Sequence, residues 1–170
     1  MLIIGVDPGS LATGYGILTV EAHRVRYLCS GTIVLPRSLS LDVRLQRVFD
    51  QLSLVAEEHA PDEFALESVF YHKNFKAALT IGHVRGVVML LAAKRGNPIH
   101  EYSPLQVKKA LVGYGRASKE QVTAMAKGIL GIGRDISEDE ADALAVAMCH
   151  ANRVHLEKHS DLSTHRNSRA

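Results

Sequence analysis

The stretch Leu2-Ile3-Ile4-Gly5-Val6-Asp7-Pro8-Gly9-Ser10 decides the fold. Its first five residues are apolar without alternation, the pattern of a central strand covered on both faces. Asp7 closes that strand, and Pro8-Gly9-Ser10 is turn chemistry. Working outward, residues 13–20 and 24–35 read as two further strands joined by a polar turn at residues 21–23, an antiparallel meander of three. Leu41–His59 has helical period, with Leu45, Val48, Phe49, Leu52 and Val55 on one face and Ser40 as its expected N-cap. Pro61-Asp62 ends it. Glu63–Glu67 and residues 98–102 are short strands, and residues 74–95 between them are a long helix. Gly82 and Gly86, four residues apart in that helix, would let another backbone approach closely. Ser103-Pro104 fits N-cap and N1 of a short helix. A Gly-rich basic loop at 113–118 precedes a helix at Lys119–Leu130, and a last helix is expected from near Ser137 to near Asn152. Strands first, then helices alternating with strands, specify an α/β fold with a five-stranded mixed sheet flanked by helices. Residues 1–153 form the single expected domain; residues 154–170 are polar, His- and Ser-rich, and expected to be a disordered tail.

A chain of 170 residues, 46% hydrophobic and 22% charged, supports one core of ordinary size. Met1 enters the first strand without a basic leader segment, so no secretory signal is expected. The apolar stretch 86–93 is too short to span a bilayer, so no membrane partner is expected. Cys29 and Cys149 follow no metal or redox spacing, which fits free thiols and a cytoplasmic location. Charge is unevenly placed. Residues 1–72 carry net −4, residues 73–127 net +8 and residues 128–170 net −2. A polyanion partner would produce that pattern; so would solvated helix faces.

Asp7 and Glu67 each end an apolar strand, a place where turn carboxylates are also common. The last helix sharpens the case. Ser137 and Glu140 fit a capping box, which gives Glu140 a structural task. At 100° per residue, Leu144, Met148, Ala141, Ala145, Cys149 and Val146 sweep out the apolar arc. Asp142 falls inside it, and Asp139 lies on its edge, about 60° away. Burying unpaired carboxylates is costly. Two of them ~4 Å apart repel by about 4 kcal/mol at an effective dielectric near 20. A cation must compensate. No Cys or His cluster has ligand spacing, and the nine histidines gather nowhere useful. All-oxygen donors select hard ions, so Mg2+ or Mn2+, two per site, is expected. Two such ions suit phosphodiester hydrolysis. Asp7, Glu67, Asp139 and Asp142 are thus the candidate catalytic and metal-binding residues.

The order of these parts resembles the ribonuclease-H-like nucleases. Ile4-Gly5-Val6-Asp7-Pro8-Gly9-Ser10 with Thr13-Gly14-Tyr15-Gly16 is similar to the opening signature of bacterial RuvC-type Holliday-junction resolvases. Phe64-Ala65-Leu66-Glu67 with Phe70 and Lys73-Asn74, Arg85-Gly86-Val87, Gln106-Val107-Lys108 with Val112-Gly113 and Lys119, and Ala141-Asp142-Ala143-Leu144-Ala145 continue it through about residue 153. The resemblance implies a homodimer that binds a four-way DNA junction. It implies symmetric paired nicks leaving 5′-phosphate and 3′-hydroxyl ends, and partnership with a branch-migration complex of an ATP-driven motor and a junction-binding protein. It also places Asp7, Glu67, Asp139 and Asp142 on the family's metal-binding acids, and Lys108 and Lys119 on its basic positions.

Phe70 would then be a wedge that stacks on a base near the branch point, worth roughly 1–3 kcal/mol; anchoring its own loop is the plainer role. Lys73, Lys76, Arg85, Lys109 and Arg116 are phosphate-contact candidates from charge alone, each of which could equally be solvated. Together they imply strongly salt-dependent binding. Three rivals stand beside this reading. The opening stretch also resembles the phosphate loop of actin-like ATP-binding proteins, which need two such domains. A junction-binding module without activity, and a related nuclease acting on RNA, are the others.

Overall fold

A computed structural model describes residues 1–21, 24–68 and 75–167, with side chains to residue 156. The strands are β1 (Leu2–Pro8), β2 (Ala12–Glu21), β3 (Arg24–Val34), β4 (Glu63–Glu67) and β5 (Ile99–Tyr102). The helices are α1 (Leu41–His59), α2 (Phe75–Arg95), α3 (Pro104–Val112), α4 (Lys119–Leu130) and α5 (Glu138–Asn167). They form one five-stranded sheet in the order β3-β2-β1-β4-β5. β1 pairs antiparallel with β2 and parallel with β4, so the opening stretch is the middle of the sheet. β5 adds in parallel to β4.

The unalternating apolar run is explained by helices on both faces. Ile3 joins the core under α3, α4 and α5, while Ile4 and Val6 join the core under α1 and α2. Side chains alternate along a strand, so Gly5 and Asp7 share Ile3's face, the α5 side. Gly5 is what lets α5 lie there. A Cβ on it would collide with the Ala143 carbonyl and the Ala147 side chain, and one on Gly14 would collide with the Asp139 backbone. The helix therefore rests directly on β1 and β2, with its N-terminus at the end of β1.

Ser103 and Ser118 cap α3 and α4 with complete capping boxes through Gln106 and Gln121. Ser40 takes the expected N-cap position of α1, without a side-chain cap bond. Two local expectations are corrected. Ser137 Oγ accepts from the Glu140 amide (3.1 Å), yet the Glu140 carboxylate turns to other partners, so that box is half made. The last helix does not stop near Asn152: α5 runs to Asn167, through a segment with neither Gly nor Pro to break it.

Gly82 and Gly86 receive no backbone from within the described chain; a Cβ on either would meet nothing within 4 Å. α2 is long and apolar enough to cross a membrane by composition alone. Here Val84, Val88, Leu91 and Ala92 are buried in the core shared with α1. Phe75, Leu79, Met89 and Leu90 are exposed on the same helix.

Candidate active site

Three elements converge at the C-terminal edge of the central strands. β1 delivers Asp7, β4 delivers Glu67, and the first turns of α5 deliver Asp139 and Asp142. β1 and β4 are adjacent and parallel, so their terminal acids lie side by side. α5 crosses the same face of the sheet, and its i, i+3 spacing turns Asp139 and Asp142 toward them. All four acids are half-buried.

The electrostatics bear the mark of this crowding. Burial pushes the Asp7 carboxyl up to about 7, and the charges of Glu67, Asp142 and Asp139 push in the same direction. Glu67 is raised by burial and by Asp142. Asp139 is raised by burial and, next, by Asp142. Among the described residues, one cation touches the group: Lys119 Nζ donates to Asp142 Oδ2 at 3.0 Å. That bond raises the Lys119 ammonium above its ordinary range. Lys119 opposes the rise at Asp7, Glu67 and Asp139, and Lys108 and Arg85 oppose it at Glu67, but none cancels it.

No three of the four acids place an oxygen each within 4.8 Å of one another, as donors to a single ion do. The cluster is spread, exclusively carboxylate and short of positive charge. That donor set fits hard divalent ions and leaves room for more than one.

The flanking acids separate cleanly. Glu138 is exposed. Glu140 is buried on the opposite side, accepting from Ser30 Oγ at 2.8 Å and from Arg134 Nη2 at 2.7 Å. Arg134 Nη2 also reaches the Tyr27 hydroxyl (3.0 Å) and Ser30 Oγ (2.8 Å), tying the loop before α5 to β3. Arg134 thus takes Glu140 out of the cluster and fixes the rotation of the helix start. Periodicity could not reveal a lock spanning 110 residues.

The basic candidates divide. Lys119 and Lys108 lie within electrostatic reach of the acids. Arg85 is committed to the protein: it donates to the Glu67 carbonyl and, at 2.9 Å, to Glu101 Oε2. Lys76 is exposed beside Arg37, Arg44 and Ser10, lining a basic cavity of about 350 Å3 just behind the turn after Asp7. Arg37 and Arg44 lie outside the basic middle segment, which is why charge counting passed over them. Arg116 is exposed in the loop before α4. Lys109 points elsewhere, into a cavity of about 720 Å3 lined by Tyr102, Cys149 and Asn152. Phe70 and Lys73 lie outside the described residues.

Sequence reasoning also missed a meeting of histidines. His100 of β5 and His150 of α5 come together at Glu63, the first residue of β4. Separations of 37 and 50 residues carry no ligand-spacing signal.

Comparison with known proteins gives a consistent result. Residues 3–150 match the family described as crossover junction endodeoxyribonuclease RuvC. The protein of that name from Syntrophomonas wolfei is 45% identical over 157 residues, covering 92% of this chain and 91% of its own. That from Bordetella avium is 47% identical over 152 residues, covering 89% and 84%. A structure of T. thermophilus RuvC in complex with a Holliday junction substrate superposes with a TM-score of 0.87 at 31% identity, covering 92% of this chain and 96% of that one.

Proposed function

The chain belongs to the RuvC family of crossover junction endodeoxyribonucleases, and we propose that it resolves four-way DNA junctions by hydrolysing phosphodiesters at Asp7, Glu67, Asp139 and Asp142. The observation that carries this reading is the Asp7 carboxyl held at about 7 by burial and three neighbouring acids. A cluster this short of cations is built to receive them. Divalent-metal dependence comes with the family. The oxygen-only donors select Mg2+ or Mn2+, two per site. Bound there, such ions supply water activation and stabilisation of the leaving oxygen.

The chain's own residues do the rest. The four carboxylates fix where the scissile phosphate sits. Lys119, exposed and paired to Asp142, is within reach of a phosphate oxygen once Asp142 is otherwise neutralised. Lys108 stands beside Glu67 on the same approach. Lys76 and Arg116 are surface contacts that position the backbone without reading sequence, and Lys73, outside the described residues, is a candidate by its charge alone. Phe70 is the wedge candidate at the branch point. Arg85 and Lys109 are weaker candidates, the first for its internal commitments and the second for its distance.

A homodimer accounts for paired symmetric nicks, because twofold symmetry presents one site twice. α2 is the face that fits it: Leu79, Met89 and Leu90 are exposed beside open Gly82 and Gly86. Sedimentation at micromolar concentration should give twice the 18.6 kDa chain mass; a monomer bound singly to a junction contradicts the dimer. Partnership with a branch-migration complex, and 5′-phosphate and 3′-hydroxyl products, follow from the family reading.

The test is cleavage of a four-way junction, a linear duplex and an RNA–DNA hybrid, each with Mg2+ and with Mn2+. The wild type should cut the junction preferentially. Asp142→Asn should lose at least roughly 100-fold. Equal cutting of the hybrid would move the substrate to RNA, and an active Asp142→Asn would remove the acids from catalysis.

A further inference from the structure

We propose that Glu63, His100 and His150 form a second cation site, for a transition metal of the zinc type, separate from the nuclease carboxylates. One donor atom from each lies within 4.8 Å of the others. His100 Nε2 and His150 Nε2 both stand 2.8 Å from Glu63 Oε2. The two rings are stacked, centroids 4.3 Å apart and planes 22° apart.

Two features go beyond proximity. His100 Nε2 is a buried atom with no hydrogen-bond partner, although Glu63 Oε2 is only 2.8 Å away. The Glu63 oxygen is hydrogen-bonded to His150 Nε2 instead, which leaves the His100 nitrogen over as a donor atom at the centre of the cluster. Next, His150 is held from behind, its Nδ1 2.7 Å from the Tyr102 hydroxyl. Metal-binding histidines are oriented by such a bond on the ring nitrogen that does not ligate. In the chain alone Nε2–H donates to the Glu63 carboxylate and Nδ1 accepts from the Tyr102 hydroxyl; an ion would take the place of that Nε2 proton, with Nδ1–H then donating to the Tyr102 oxygen.

Two imidazoles and one carboxylate suit zinc with water as the fourth ligand, and contrast with the all-oxygen nuclease cluster. Access is available. His150 is 1% exposed, but the Glu63 and His100 side chains are 25% and 26% exposed. All three ligands come from regular elements: β4, β5 and α5. The parallel register sets His100 opposite Ala65, next to Glu63 on the α5 face. The site lies four residues along β4 from Glu67 and eight along α5 from Asp142, about 12–13 Å from the nuclease acids on either count. A bound ion would pin the middle of α5 to the parallel edge of the sheet.

Zinc titration of the chelator-stripped full chain tests this, with cobalt(II) as the spectroscopic probe. The wild type should take up one equivalent of zinc, raise its Tm with free zinc, and give the visible bands of four-coordinate cobalt. His100→Ala should weaken zinc binding at least about ten-fold and abolish those bands. Asp7→Asn should leave both unchanged, which separates this site from the nuclease cluster. Glu63→Gln serves in place of His100→Ala if the latter does not fold. A wild type that binds no zinc at micromolar concentration, or a His100→Ala that binds it equally, leaves a hydrogen-bonded cluster only and overturns the proposal.

Discussion

At the scale of single residues the account turns on Asp7. Its carboxyl is raised from 3.8 to about 7 in the folded chain, chiefly by burial and then by three acids. The folded state therefore holds that proton more tightly than the unfolded state. Its contribution to stability is fully present below about 3.8 and is lost as pH climbs to about 7. Asp7→Asn removes the titrating charge. Without divalent ions that variant should be more stable than the wild type by about 1–2 kcal/mol at pH 8, after discounting for solvent and for Lys119, and the gain should vanish near pH 4. Urea unfolding at the two pH values measures this, and a variant no more stable at pH 8 would show that the acids do not repel. Asp7 itself was legible, because a carboxylate ending an all-apolar strand is conspicuous. The choice among Glu138, Asp139 and Glu140 was less so. It is made by Ser30 and Arg134, which claim Glu140 from positions that no local pattern links to it.

At the scale of elements, the site depends on how closely α5 approaches the sheet. Gly5→Ala inserts a Cβ against the Ala143 carbonyl. Backbone cannot yield as a flexible side chain does, so α5 must lift. The expected cost is about 1–3 kcal/mol, with junction cleavage reduced further than the loss of folded protein explains. Specific activity measured per folded molecule checks this; full activity would mean that helix and strand need not meet so closely. The elements were readable where a local cause sets them: α1 by its apolar period, α3 by Ser103-Pro104 at its start. They were misread where the cause is tertiary or absent. Glu140 abandons its box for Arg134, and α5 continues because nothing in its sequence stops it. The helix-facing role of Gly5 was hidden for the same reason, since its contact is 138 residues away.

At the scale of the molecule, a central parallel pair flanked by two cores puts the four acids at one edge of the sheet. The strand order, β3-β2-β1-β4-β5, is supplied by the structure; a mixed five-stranded sheet was implied by a meander followed by alternating helices and strands. The open face of α2 was not, because exposure of Leu79, Met89 and Leu90 follows from which side of the helix α1 covers. The central claim is that four acids distant in sequence coexist by sharing cations. Mn2+ binding measured calorimetrically between pH 6 and 8, for the wild type and Asp7→Asn, tests it most directly. Wild-type affinity should climb through the Asp7 transition near 7, and the variant should bind more weakly with a flatter pH profile. Equal affinity and equal pH dependence in the two proteins would contradict the account.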